Sequence, residues 1–116
     1  MQRLEGEQTL MRVFIGESDR HQNKPLHKVL LELFRKSGFA GATVLRGVAG
    51  FGANSVLHTD QLLCLSQDLP LVIEVVDTEE KIESIIPQLD QMLQGGMITL
   101  EKARVICYKK GMENRC

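Results

Sequence analysis

The sequence predicts one α+β domain, with elements in the order strand, helix, strand, long loop, strand, helix, strand. Two observations predict it. Short apolar, β-prone runs occur at "LMRVFI", "TVLRGV", "LVIEVV" and "ARVICY", and two of the stretches between them carry apolar residues at helical spacing. A length of 116 residues suits a single domain with a real core. This order is the split β-α-β-β-α-β pattern of a ferredoxin-like sandwich, in which two helices cover one face of an antiparallel sheet.

The first strand runs from Leu10 to Ile15 and ends at Gly16, before the polar stretch "ESDRHQNK", which reads as a loop. Pro25 suits a first helical position. Leu26, Val29, Leu30, Leu33 and Phe34 then recur on one helical stripe until Gly38 supplies a stop. Thr43 to Val48 is the second strand, and Leu71 to Val76, between Pro70 and Asp77, the third. Asp77 with Glu80 three residues on fits a capping-box start to the second helix, whose stripe is Ile82, Ile85, Ile86, Leu89, Met92 and Leu93. Pro87 inside it predicts a kink or a restart, because an interior proline removes a hydrogen bond and clashes with the preceding turn. Gly95 and Gly96 end that helix, and Ala103 to Tyr108 is the last strand.

Alternation along the strands predicts two faces. One holds Met11, Val13, Ile15, Thr43, Leu45, Leu71, Ile73, Val75, Ala103, Val105 and Cys107, and belongs under the helices. The other holds Arg12, Phe14, Val44, Arg46, Val48, Val72, Glu74, Val76, Arg104, Ile106 and Tyr108. It is too apolar to meet water in a monomer, so another subunit is expected to cover it. The third strand lies beside the first and second in this fold, so Glu74 is expected to neutralise Arg12, Arg46 or both.

Composition sets limits. The chain is 43% hydrophobic and 25% charged, with 4% aromatic residues and no Trp. A formal charge of −1 supplies no broad basic surface for nucleic acid or anionic lipid, so neither partner is expected. No stretch approaches the roughly 20 apolar residues of a membrane helix, and the first eight residues carry no apolar signal run. Cys64, Cys107 and Cys116 show neither metal spacing nor an even count, which favours a reducing compartment, the cytoplasm. Cys64 and Cys107 read as core residues.

The stretch "TVLRGVAGFGANSVLHT", Thr43 to Thr59, places Gly47, Gly50 and Gly52 after a strand, with Arg46 and His58 near in sequence. It lacks the lysine of a Walker loop and the helix that a dinucleotide fingerprint must open. Two readings stay open: a mobile turn, or a concavity of glycine amides that binds an anion. His21, His27 and His58 show no paired spacing for a metal. Glu17, Asp19 and Asp60 are loop carboxylates able in principle to act as acid or base.

The set Val13 to Glu17, Lys24 to Leu26, "GATVLRGVAGFG" (Gly41 to Gly52), His58, "LSQDLPLVIEVVD" (Leu65 to Asp77) and Glu79 to Glu83 resembles the uncharacterised family described as PII-like signalling proteins. The resemblance spans Leu10 to Tyr108. It leaves residues 1–9 as an N-terminal extension, 10–108 as the domain and 109–116 as a tail.

The resemblance implies a homotrimer with an adenine nucleotide, AMP, ADP or ATP, in clefts between subunits; no metal is expected, because the sequence lacks metal-ligand spacing. The resemblance also implies a regulatory protein that is not an enzyme and that contacts a transporter, channel or enzyme through the loop from Gly50 to Gln61. Binding residues implied or suggested are Arg46, Gly47, Gly50, Phe51, Gly52 and His58, with Gly95 and Gly96 in a second phosphate-holding loop, Gln94 to Ile98. The chain departs from PII proteins proper in its shorter loop and in having Tyr108, on a strand, as its sole tyrosine. Alternatives are a nucleotide hydrolase using Glu17 or Asp60 with a divalent ion, and a metal-binding trimer like the CutA proteins using His58.

Overall fold

An 11-residue strand, β1 (Gly6–Gly16), forms the middle of the sheet in a computed structural model that describes residues 4–52 and 68–111. Next come a two-stranded hairpin, β2 (Arg20–His21) and β3 (Lys24–Pro25), helix α1 (Leu26–Lys36), β4 (Thr43–Arg46), β5 (Pro70–Asp77), helix α2 (Glu79–Met92) and β6 (Met97–Val105). The four longer strands pair antiparallel in the order β4-β5-β1-β6. That order with two helices on one face is the expected ferredoxin-like sandwich. No helix among the described residues is long and apolar enough to cross a membrane.

Register places the core. Met11, Val13 and Ile15 lie opposite Val75, Ile73 and Leu71, all on one face. They pack with Leu26, Leu30 and Phe34 of α1 and Ile82, Ile85 and Leu89 of α2, every one of them buried. α1 ends as its glycine predicts. Gly38 takes φ +79°, its N–H donates to Arg35 O at 3.2 Å, and Phe39 N–H donates to Phe34 O at 3.1 Å. This is a Schellman closure, and its apolar contact is the edge-to-face pair of Phe34 and Phe39, with centroids 5.2 Å apart.

Several local expectations are corrected. The polar stretch after β1 contains the β2/β3 hairpin, turned at Gln22 (φ +51°) and Asn23 (φ +67°). Positive φ at both central residues is what a tight two-residue hairpin requires, and Asn tolerates it. Thr78, rather than Asp77, is the N-cap of α2: its hydroxyl accepts from Lys81 N–H at 3.3 Å. Asp77 is 4% exposed and accepts instead from the N–H groups of Thr78 (2.8 Å) and Ala40 (2.9 Å), tying the α1–β4 connection to the end of β5. α2 continues through Pro87 as a single element; the proline is exposed, so the carbonyl it leaves unpaired in the preceding turn can meet water.

The sheet faces are right for β1 and β5 and reversed for β4 and β6. Val44 pairs with Ile73 and packs on the core, while Leu45 pairs with Val72 and points to the open face at 48% exposure. Arg46 pairs with Leu71 and so shares the helix side. β6 begins at Met97, six residues before the expected start; Ile98 and Leu100 pair with the core residues Val13 and Met11, so Ala103 and Val105 face away from the helices. The reversal follows from period two, in which a one-residue slip exchanges the faces of a whole strand. Cys107 and Tyr108 lie past the end of β6. Cys107 is half-buried and disulfide-bonded, not a free core thiol, and the Tyr108 hydroxyl donates to Ala40 O at 3.3 Å.

The helix-free face stays largely apolar, with Leu10, Phe14, Leu45, Val72, Val76, Met97, Ala103 and Val105 at corresponding register positions. Arg12 sits amid them, its Nε donating to Glu74 Oε2 at 2.9 Å and its Nη1 to Glu101. Hydrogen bonds to Glu74 and then to Glu101 hold this guanidinium even more firmly protonated than usual. The expected neutralisation of Arg12 by Glu74 is therefore present, and Glu101 adds to it. Arg46 pairs with Glu17, on the other side of the sheet from Glu74.

Candidate functional site

A cleft of about 500 Å³ opens where the end of β1, the chain after β4, the start of β5 and the α2–β6 turn meet. Phe14, Ile15, Gly16, Ser18 and Asp19 contribute from β1 and the chain after it, Phe51 and Gly52 from the segment after β4, Asp68 and Pro70 from the approach to β5, and Gly95, Gly96 and Met97 from the turn. Backbone bonds fix these segments to one another. Glu17 N–H donates to Leu69 O at 2.9 Å, and Gly47 N–H to Pro70 O at 2.7 Å.

Each wall has a local cause. Gly16 ends β1 with its N–H donated to Asp19 Oδ2 at 3.0 Å, while Asp19 N–H returns to Gly16 O at 3.1 Å, closing a tight turn. Asp19 O then accepts from Leu26 N–H at 2.8 Å, which ties the turn to the start of α1. Asp68 Oδ1 accepts from the Ser18 N–H at 3.2 Å and hydroxyl at 2.8 Å. A Cβ on Gly16 would lie 2.9 Å from Asp68 Oδ1 and 3.2 Å from Asp19 Oδ1, so both carboxylates crowd the same small residue. Gly96 has φ +110°, and a Cβ there would stand 2.2 Å from Phe14 O; the turn can lie on β1 only as glycine.

Four of the eight residues expected to bind, Phe51, Gly52, Gly95 and Gly96, line this one cleft. Gly47 and Gly50 do not; both pack on Pro70, where a Cβ would approach Cγ to 2.9 and 3.0 Å, and the Gly47 amide already donates to Pro70. Arg46 stands outside the lining and pairs with Glu17, which lies between the lining residues Gly16 and Ser18. His58 and Asp60 lie outside the described residues. The α2–β6 loop is shorter than expected, because Met97 and Ile98 already belong to β6.

Phe14, Gly16, Ser18, Asp68 and Pro70 were not singled out by the sequence, although Gly16 and Pro70 bounding strands signal chain reversals; Met97 fell within the expected Gln94 to Ile98 loop. The charges in the lining are the carboxylates of Asp19 and Asp68; no Lys or Arg is among the described residues there. Phe14, Phe51 and Met97 give it an apolar side, and Phe51 is 70% exposed. His, Cys, Asp and Glu form no group of three able to hold a metal among the described residues.

Fold and cleft together define a ferredoxin-like α+β domain with an open, partly apolar sheet face and a glycine-walled cleft at one end of the sheet. Residues 8–105 match the family described as "DUF190: Uncharacterized ACR, COG1993", and the chain belongs to that family. It is 38% identical over 97 residues to a "UPF0166 protein" of Aquifex aeolicus, covering 84% of this chain and 91% of that one. It is 30% identical over 97 residues to "UPF0166 protein MJ1524" of Methanocaldococcus jannaschii, covering 83% and 89%. Among solved structures it resembles CPII from Thiomonas intermedia K12, bound to ADP, AMP and acetate, with TM-score 0.51 and 16% identity over 90% of this chain and 92% of that one. At that identity the likeness concerns the fold.

Proposed function

We propose that the protein is a PII-like regulatory subunit that assembles as a homotrimer and binds an adenine nucleotide in the cleft beside Phe51. The observation that carries this reading is the convergence of Phe51 and Gly52 with Gly95 and Gly96, some 40 residues apart in sequence, on one cleft of about 500 Å³, a size suited to a small ligand. That CPII, a protein of the same fold, is bound to ADP and AMP supports the choice of ligand.

The chemistry divides along the lining. Phe14, Phe51 and Met97 offer an apolar surface for a base, with aromatic faces for stacking. Asp19 and Asp68 accept hydrogen bonds from ribose hydroxyls or an exocyclic amine, as acidic residues do in dinucleotide sites. Phosphates need donors of opposite character. Arg46 at the rim and a neighbouring subunit's cations are the sources in this reading, which ties binding to assembly.

The open sheet face is the surface that assembly would cover. Its apolar positions surround the Arg12, Glu74 and Glu101 group, in which the one guanidinium already serves both carboxylates. Occupancy would be read out through the segment that begins at Gly50, acting on a target protein such as a transporter or channel, without turnover of the ligand.

Calorimetric titration with AMP, ADP and ATP, with nucleotide analysis of the same samples, tests the reading. Saturable binding with the nucleotide recovered intact is expected. No heat at millimolar ligand removes the nucleotide, and recovery of hydrolysed product makes the protein an enzyme instead.

A further inference from the structure

We propose that the Arg46–Glu17 ion pair is a latch that closes the segment 47–52 over the cleft, and that a phosphate-bearing ligand opens it by taking Arg46 from Glu17. This rests on reading the cleft as the site of such a ligand.

The pair lies outside the lining and joins two segments that supply it, the chain after β1 and the chain after β4. Glu17 lies between Gly16 and Ser18, and its backbone is fixed through its N–H to Leu69 O, so its side chain, 20% exposed, is a stationary anchor. Arg46 is the last residue of β4, and the chain beyond it folds over Pro70 at Gly47 and Gly50 to bring Phe51 and Gly52 to the cleft. The Arg46 side chain is 62% exposed, so it can turn from Glu17 without being buried or stripped of water. The latch therefore has one rigid half and one movable half.

Charge gives it a direction. Asp19 and Asp68 make the described lining anionic, and Glu17 at the rim already engages the cation that a phosphate would seek. A phosphate offers the planar guanidinium a more highly charged, bidentate partner than a single carboxylate does. Moving Arg46 onto it breaks the tie between the two segments and frees the base of the chain that leaves β4. Glu17 thus acts as an internal competitor, lowering phosphate affinity while coupling occupancy to the state of the segment.

The test pairs binding with hydrogen exchange. In calorimetry with ADP, Glu17→Gln tightens binding about two- to fivefold, the range expected for loss of a competing rim ion pair. Arg46→Gln weakens binding, and Glu17→Gln adds nothing in the Arg46→Gln background. In the ligand-free protein, the amides of 47–52 exchange faster in Glu17→Gln than in wild type. Unchanged exchange overturns the latch. Wild-type binding of ADP that Glu17→Gln leaves unaltered overturns its competition with ligand. If wild type binds no ADP at millimolar concentration while exchange still rises, the nucleotide reading and ligand release both fail, and the pair is a structural clamp alone.

Discussion

Replacing Gly96 with alanine attacks the wall of the cleft where backbone meets backbone. Gly96 holds φ +110°, a conformation costing a non-glycine residue about 1–3 kcal/mol. The added Cβ would stand 2.2 Å from Phe14 O, and to reach even 3.0 Å the turn must move by about 0.8 Å. Phe14 is in the central strand, paired with Val72 on one side and Met97 on the other, so it gives little and the turn must lift. Overpacking of this kind costs about 1–3 kcal/mol more, and together the two effects predict a loss of about 2–6 kcal/mol. With mid-range values, a loss of about 4 kcal/mol and a urea slope of about 2 kcal/mol per molar, the unfolding midpoint falls by about 2 M. Gly41→Ala is the control, since a Cβ there meets nothing within 4 Å and its φ is not positive; its midpoint should stay put or rise slightly. Both variants are measured at one protein concentration, because assembly contributes to stability. A Gly96→Ala midpoint equal to wild type would refute the close approach of turn and strand on which the cleft's shape depends.

Arg12→Met leaves Glu74 and Glu101 without their shared cation on the open sheet face, and light scattering should show a shift to smaller species. Phe51→Ala removes the exposed aromatic wall and should weaken nucleotide binding several-fold in calorimetry while leaving the urea midpoint unchanged. The Arg35 hydrogen bond holds the Glu32 carboxyl below its ordinary 4.5, so its contribution to stability is present above that value and is lost as pH falls through the lowered folded one. Glu32→Gln should therefore flatten the acid end of a melting-temperature profile and leave its neutral part unchanged in shape.

The fold was legible wherever one face of an element is apolar and the other is not. α1 shows this from Leu26 to the Gly38 stop, and β5 shows it because its core face, Leu71, Ile73 and Val75, sits in a run bounded by Pro70 and Asp77. β4 was harder to orient. In Thr43–Arg46 the apolar neighbours Val44 and Leu45 face opposite ways, and both faces of this sheet accept an aliphatic residue, so the sequence carries no parity signal. β6 was placed too late because its edge position puts Glu101, Lys102 and Arg104 within the strand, where charges discourage further pairing but look like a loop.

The candidate site was legible in the same uneven way. Gly95 and Gly96 read on their own as a helix stop and entered the expected site only through the resemblance; what Gly96 approaches, Phe14 O, depends on tertiary packing. Asp68 joins the cleft only because β5 pairs with β1 and brings its approach beside Ser18. The pairing of Arg46 with Glu74 was expected from an alternation that was one residue out, and the corrected face turns Arg46 toward Glu17.

Native mass spectrometry of the protein purified from cells, without added ligand, reads assembly and ligand together. Three copies of the 13.0 kDa chain carrying adenine nucleotide are predicted. A single chain that binds no nucleotide on addition would contradict both the covered sheet face and the proposed role of the cleft.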